Sequence, residues 1–192
     1  MLTFLRDRLA AISRKFSNSD AGATAVEFAM VIGPFFLILG VIIETGLMMF
    51  TEYALQSAVQ DTGRLIRTGQ AQNSGYSVAT FKNTICNTAG VLIDCQNKVT
   101  VYVNHSASTF AQLNATVPSF LSIGPSVSNQ PYPVTFSCGS PLQPVAVVAT
   151  YDWYFSMVGM SYLGNIMSNS ARRLMGFAIF LNEPYNQSGA GC

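Results

Sequence analysis

The sequence predicts an α+β fold, in which a long N-terminal helix packs on a small antiparallel sheet. Three observations lead to this prediction. An apolar run over residues 28–43 continues into a stretch with helical periodicity that ends near Gly69. Residues 98–103 alternate as a strand does, residues 144–151 are rich in β-branched residues, and the apolar residues 174–181 form a third predicted strand. With 192 residues, the chain can hold one domain of ordinary size and an appendage.

The composition of the chain is poor in charge. Charged residues make up 10% of the sequence, against about 25% in a typical soluble domain. Ten Lys and Arg and nine Asp and Glu leave a net charge of +1. This balance argues against a nucleic-acid-binding protein, which needs a concentrated basic surface. The low charge also argues against a free cytosolic enzyme, because surface charge normally keeps such a protein in solution.

The N-terminal apolar run predicts one membrane span. Residues 21–43 contain a single ionisable side chain, Glu27, and the stretch is long enough for the roughly 20 residues that a span needs. The cations of the preceding segment are Arg6, Arg8, Arg14 and Lys15. No Lys or Arg follows the run before Arg64. By the positive-inside rule, residues 1–22 lie in the cytoplasm and the bulk of the chain lies on the other side of the membrane.

The helix is expected to continue beyond the span, from about Ala25 to about Thr68. After Glu44, apolar residues recur at helical spacing among polar ones, which predicts an amphipathic second half. Pro34 is expected to bend the helix, because proline removes one backbone hydrogen bond and crowds the preceding turn. Gly69 is expected to end it, as glycine commonly does.

Glu27 is a functional candidate, because a carboxylate within an apolar helix is costly. One interpretation places it at the level of the lipid headgroups, where it reaches water. Its surroundings favour another. A basic leader ends at Gly22, and the apolar run that follows has Glu27 as its fifth residue and Phe28 as its sixth. This pattern resembles the processing site of type IV prepilins, which a membrane aspartyl peptidase cuts after the glycine.

The chain contains three motifs in order: residues 22–29 (GATAVEFA), 58–69 (AVQDTGRLIRTG) and 180–185 (FLNEPY). Together they resemble the TadE-like family of minor pilins or pseudopilins of the Tad (Flp) pilus of bacteria. The resemblance implies a pilin-like fold and cleavage between Gly22 and Ala23. It implies other pilin and pseudopilin subunits and a prepilin peptidase as partners. It also implies a single-pass protein of the bacterial inner membrane that can be incorporated in a pilus.

Glu27 and Phe28 are the residues to which helix packing and register are assigned. Cleavage after Gly22 frees the α-amino group of Ala23, which is mostly cationic at pH 7. When helices pack side by side, Glu27 of one subunit can neutralise the amine of another. A buried pair of this kind adds little net stability, but an unpaired buried charge costs about 3–5 kcal/mol. The pair is therefore expected to set register rather than to supply adhesion.

The chain beyond the helix is expected to form a small extracytoplasmic domain. The predicted boundaries are residues 1–22 for the leader, 23–69 for the helix and 70–192 for the α+β domain. Within that domain, helices are predicted over residues 77–86 and 155–168, and residues 106–140 look loop-like. The three strands are expected to form an antiparallel sheet on the amphipathic half of the long helix.

All four cysteines, Cys86, Cys95, Cys138 and Cys192, lie outside the membrane in this orientation. An even number of cysteines in an oxidising compartment predicts disulfides, and four allow three pairings. The short separation of Cys86 and Cys95 favours a bridge between them, which leaves Cys138 and Cys192 as a second pair that the sequence does not establish. A zinc site is disfavoured, because the chain has no CxxC pair and a single histidine, His105.

No catalytic motif stands out in the sequence. GxSxG, HExxH and phosphate-binding glycine loops are absent. His105 is expected at the surface or at a strand end. Residues 152–154 are expected to follow a strand and to pack at the sheet edge rather than bind a ligand. Arg172 and Arg173 are expected to form a solvated face, with contact to a partner as the alternative. No catalytic residue, metal, cofactor or small-molecule substrate is expected.

The sequence therefore predicts a non-enzymatic assembly subunit. It is expected to be a minor pilin or pseudopilin of a Tad-type pilus, used in adhesion and assembling through its N-terminal helix after prepilin-type cleavage. The alternative is an unprocessed single-span envelope protein with a sensing or ligand-binding periplasmic domain.

Overall fold

The computed structural model of the chain describes residues 20–90, 94–106, 109–116, 135–156, 171–186, 188 and 192. The helices in these residues are α1 (Asp20–Arg67), α2 (Gln70–Asn73), α3 (Val78–Ala89), α4 (Cys95–Lys98) and α5 (Phe110–Thr116). The strands are β1 (Thr100–His105), β2 (Pro144–Tyr154) and β3 (Ala171–Leu181), which form one antiparallel sheet in the order β1-β2-β3. The predicted α+β class, with a long helix and a small antiparallel sheet, is confirmed.

The described part of the long helix α1 runs from Asp20 through Pro34 to Arg67, so it already includes residues before the predicted start at about Ala25. The bend at Pro34 stays a prediction. Gly69 follows with φ +79°, a left-handed conformation that cannot extend a right-handed helix, so the predicted stop is confirmed. The second half of the helix is amphipathic as expected. Its buried apolar side chains, all at most 5% exposed, are Met48, Leu55, Ala58, Val59 and Ile66.

The central strand of the sheet is β2, as its nearly continuous β-branched composition predicted. Residues 144–151 are buried, because both faces of a central strand are covered here. The edge strand β1 differs from its prediction over residues 98–103. Lys98 ends α4 instead, and three consecutive residues of β1 are buried, so the simple alternation expected from the sequence does not hold.

Both longer strands extend past their predicted ends. Residues 152–154 were expected to follow a strand, but they belong to β2 and pair with Ala171, Arg172 and Arg173 at the start of β3. They lie beyond Thr150, the last β2 residue that pairs with β1. This prediction was wrong because register, which strand composition does not reveal, decides how far a strand continues.

The predicted loop over residues 106–140 contains the helix α5 (Phe110–Thr116). Thr109 begins it. Its hydroxyl accepts a hydrogen bond from the backbone N–H of Gln112 at 3.3 Å, and its carbonyl accepts one from Leu113 at 3.1 Å. Thr109 and Gln112 have the spacing of a capping box, a start signal that the sequence does carry. Residues 117–134 lie outside the described residues.

The predicted helix over residues 77–86 is confirmed as α3, which continues to Ala89. Ser77 caps it, since its hydroxyl accepts the N–H of Thr80 at 3.2 Å. Phe81 and Ile85 are fully buried, as expected for one face of this helix. The helix predicted over residues 155–168 falls mostly outside the described residues.

The chain divides into two compact units, one ending at Ile43 and the other spanning Glu44–Cys192. The amphipathic half of α1 therefore belongs to the same unit as the sheet. Within that unit, α1 approaches β3 closely at Gly176, where an added Cβ would lie 2.8 Å from the carbonyl oxygen of Leu55. Glycine at this position lets the helix backbone rest on the strand.

Candidate assembly site

The first half of α1 is apolar and exposed on all sides. Phe28 is 65% exposed, Met30 is 73% exposed and Phe36 is 59% exposed. By length and composition, the helix over Thr24–Arg67 can span a membrane. A helix that is hydrophobic all round is normally covered by lipid or by other protein. This half of α1 is therefore expected to be covered by lipid or by other protein.

Glu27 lies within this exposed apolar stretch. It is the only charged residue of residues 24–43, and its side chain is exposed. The ion pairs that the described residues contain do not involve it. One helical turn, about 6 Å of axial rise, separates Glu27 from Ala23. A carboxylate in this position can pair with the α-amino group of an adjacent helix that is shifted along its axis by about one turn.

The predicted cleavage site lies near the N-terminal limit of the described part of α1. Gly22 and Ala23 follow Asp20, the first residue that the structure describes, and their backbone is helical. A protease that needs extended backbone therefore has to unwind this end of α1 to reach the bond between Gly22 and Ala23.

Glu44 differs sharply from Glu27 although both lie near the ends of the apolar run. Glu44 is 7% exposed, and its carboxylate accepts a hydrogen bond from the backbone N–H of Ser156. Burial of a carboxylate is tolerated when it is hydrogen-bonded. Glu44 thus joins α1 to the segment after β2, a role that sequence reasoning missed because the two residues are 112 positions apart.

Two of the three sequence motifs meet at the end of α1. Gly63 faces Phe180, whose ring would lie 3.1 Å from a Cβ at position 63. Gly69 faces Tyr185, whose ring would lie 2.4 Å from a Cβ at position 69. Both glycines therefore leave room for aromatic rings of the later motif. Residues 58–69 and 180–185 pack against each other and form one junction. This packing explains why one motif has glycines where the other has aromatic residues.

The same junction satisfies the backbone at the end of α1. The N–H of Glu183 donates to the carbonyl of Arg67 at 2.9 Å, which gives a partner to one of the last helix carbonyls. The side chains of the two residues also form an ion pair with an N–O distance of 3.1 Å. Since both side chains are about half exposed, the ion pair itself contributes little stability.

Asn182 sits at the centre of a buried polar cluster below this junction. It is 1% exposed, and its amide donates to the carbonyls of Cys138 at 2.9 Å and Ser140 at 3.0 Å. Gln72, which is fully buried, also donates to the carbonyl of Cys138, at 3.2 Å. The cluster fixes the chain after β3 against α2 and against the segment before β2.

Both disulfides form in the structure, Cys86–Cys95 and Cys138–Cys192. The first is the bridge that the sequence favoured, and the second is the pairing that it left open. Cys86–Cys95 links α3 to α4, and Cys138–Cys192 closes a much longer loop next to Asn182. Among the described residues, no group of three or more His, Cys, Asp and Glu is placed to hold a metal ion.

Arg173 does not lie on a solvated face, contrary to the sequence-based expectation. Its side chain is 10% exposed and it forms two hydrogen bonds with Asp152, from Nε at 2.8 Å and from Nη2 at 3.1 Å. Burial raises the pKa of Asp152 and lowers the pKa of Arg173. The expectation failed because the pair depends on the β2–β3 register, which places Asp152 opposite Arg173.

His105 ends β1, as one of the two sequence-based expectations for it stated. Its Nδ1 lies 2.9 Å from the hydroxyl of Ser137. A third residue in line with this pair would be needed to activate the hydroxyl for nucleophilic chemistry, and none is placed so among the residues that the structure describes. The contact fastens the end of β1 to the segment before β2.

The apolar helix and the disulfide-bonded α+β unit are consistent with a membrane-anchored protein. A family model described as TadE-like protein matches residues 22–64, so the resemblance to the TadE-like family is confirmed for this segment. The match includes Gly22, Ala23 and Glu27, and residues 180–185 lie outside it. No curated protein and no solved structure matches the chain.

Proposed function

We propose that this protein is a minor pilin or pseudopilin of a Tad-type pilus, without enzymatic activity. The TadE-like match supports an association with a Tad pilus system. The proposed precursor has residues 1–22 in the cytoplasm, a single span in the bacterial inner membrane and its α+β unit in the periplasm. Prepilin peptidase removes the leader after Gly22, and the mature chain assembles with other pilin and pseudopilin subunits for adhesion.

The placement of Glu27 carries this proposal. It is a lone carboxylate on an exposed apolar helix, one turn after the residue that becomes the new N-terminus. Lipid is a poor environment for such a charge, whereas a neighbouring helix with a free α-amino group is a good one. The pair would select one axial register, because other registers leave two buried charges without partners.

Glu27 is exposed and Glu44 is buried, which supports different roles for these two carboxylates of α1. Glu44 is already used within the folded unit, through Ser156. Glu27 remains available for contacts with a neighbouring subunit. The folded unit is thus held by Glu44, while subunit packing is assigned to Glu27 and Phe28.

Substitution of Glu27 tests the proposal. Glu27→Ala is expected to leave membrane insertion and the amount of protein unchanged and to impair pilus formation, scored by electron microscopy of cells. Asp61→Ala is the matched control, because it removes an exposed carboxylate on the amphipathic half of the same helix. Normal piliation by the Glu27→Ala protein would contradict the register role of this carboxylate.

An unprocessed envelope protein with a ligand-binding periplasmic domain is the second candidate. The observation in its favour is a groove of about 420 Å³ between α1 and β3, which is within the size range of ligand sites. The two candidates differ at the N-terminus, since the second keeps its leader.

A further inference from the structure

The outer edge of β3 already binds an amide group. Within the described sheet, β3 pairs only with β2. Its other edge is not paired with any described strand and lies next to α1. The Gln56 side chain donates to the carbonyl of Phe177 at 2.9 Å and accepts from the N–H of Phe177 at 2.9 Å. These are the two hydrogen bonds that one residue of an added antiparallel strand would make. The backbone of β3 is therefore presented in a geometry that accepts a further strand.

Ile179 offers the next position on the same edge. Backbone groups alternate in direction along a strand, so those of Ile179 point to the same side as those of Phe177. Among the described residues they have no partner on that side. The groove of about 420 Å³ opens here, lined by Gln60, Gly63 and Arg64 of α1. Open strand edges of this kind are templates for pairing with another chain.

The groove is lined by apolar side chains, two glutamines and two arginines, of which one arginine has an acidic partner. Phe177 and Ile179 are each 57% exposed. Arg67 lines the groove but is paired with Glu183. Arg64 lines it as well and is exposed, and it takes part in neither ion pair of the described residues. Asp61, the nearest acidic residue along α1, does not line the groove.

We propose that the β3 edge binds an extended acidic peptide segment of another protein, which adds as a strand at Ile179 and places a carboxylate on Arg64. Main-chain hydrogen bonds supply affinity in this mode of recognition, and side-chain contacts supply specificity. A second copy of the chain fits less well, because symmetric pairing of two β3 edges brings two Arg64 side chains together. The proposal does not depend on cleavage at Gly22 or on pilus assembly.

The test uses the full chain in detergent micelles. The probes are a library of acetylated and amidated hexapeptides of alternating Thr and Val with one central Asp or Glu, and a matched library with Asn or Gln at that position. Binding is measured by isothermal titration calorimetry, and amide NMR reports on Ile179. Acidic peptides are expected to bind about tenfold more tightly than their neutral counterparts at low salt, as a charge-assisted hydrogen bond provides. The Ile179 amide signal is expected to shift on binding.

Three variants make the outcome decisive. Arg64→Gln is expected to abolish the preference for acidic peptides, and Lys98→Gln, which removes an exposed cation on α4, is expected to keep it. Ile179→Pro removes the backbone donor at an edge that tolerates proline, so binding is expected to fall for both libraries. The proposal is overturned if no acidic peptide shifts the Ile179 amide or if Arg64→Gln keeps the preference. Self-association through β3 without peptide binding would overturn it in favour of a second copy.

Discussion

The ring of Tyr185 lies directly against Gly69, and a Cβ added to this glycine would come within 2.4 Å of the ring. Gly69 is also in the left-handed conformation, with φ +79°. Two separate constraints thus act at one residue. The end of α1 and the segment after β3 can close on each other only because this position has no side chain.

Gly69→Ala is expected to destabilise the folded unit by more than the conformational strain alone. Gly75 is the matched control, since it also has a positive φ, +62°, but has no atom within 4 Å of an added Cβ. Gly75→Ala should cost about 1 kcal/mol for the left-handed backbone. Gly69→Ala should cost a further 1–3 kcal/mol, approximately, for the clash. Thermal or denaturant unfolding in detergent measures both, and equal effects of the two substitutions would contradict the Tyr185 contact.

Gly176→Ala is expected to push α1 away from β3. The added Cβ would meet the backbone oxygen of Leu55 at 2.8 Å, and backbone cannot move aside as a flexible side chain can. A loss of about 1–3 kcal/mol is expected. Gly46→Ala in the same helix has open space around the new Cβ, so it should be neutral or slightly stabilising. The account of helix–strand contact fails if the two variants unfold alike.

The two disulfides should contribute unequally to stability. Cys138–Cys192 spans 54 residues and Cys86–Cys95 spans 9. Loop-closure entropy in the unfolded chain predicts about 4 kcal/mol for the first and about 2.5 kcal/mol for the second. Paired Cys→Ser variants, one for each bridge, test this by denaturant unfolding. A larger loss for the Cys86–Cys95 pair would show that native packing, rather than loop length, dominates.

Stability should fall at alkaline pH, in part through Tyr185. Burial raises the pKa of Tyr185 above its ordinary value of 10.0, and the nearby Gln72 side chain lowers this pKa to a smaller extent. The folded state therefore keeps a proton that the unfolded chain has lost. The stability from this group is complete below about pH 10 and is lost as the pH rises through the folded-state pKa. Tyr102, whose pKa burial also raises, acts in the same direction.

Tyr185→Phe isolates the contribution of this phenol. The variant should show a shallower decrease of unfolding free energy above pH 10 than the parent protein. An unchanged slope in the Tyr185→Phe protein would contradict the assigned direction.

Periodic and local features of this fold could be predicted from sequence, and long-range partners could not. The amphipathic half of α1, the burial of β2 and the stop at Gly69 each follow from a few adjacent residues. The start of α5 was missed although Thr109 and Gln112 carry a local signal for it. The start of α5 is therefore predictable from the local sequence as well.

In the candidate site too, local features could be predicted from the sequence and long-range contacts could not. The exposed Glu27 on an apolar helix follows from the sequence alone. The Glu44 contact with Ser156 and the Gln56 contact with Phe177 join residues 112 and 121 positions apart. Such contacts depend on how α1 lies on the sheet, and composition does not determine that. For the same reason, Arg173 was expected in water rather than against Asp152.

The N-terminus of the protein recovered from membranes tests the central claim most directly. N-terminal sequencing and intact-mass measurement are made in cells with and without the prepilin peptidase of the pilus system. The processed-pilin account predicts a chain that begins at Ala23 when the peptidase is present and an uncut leader when it is absent. An intact leader in the presence of the peptidase would contradict the account.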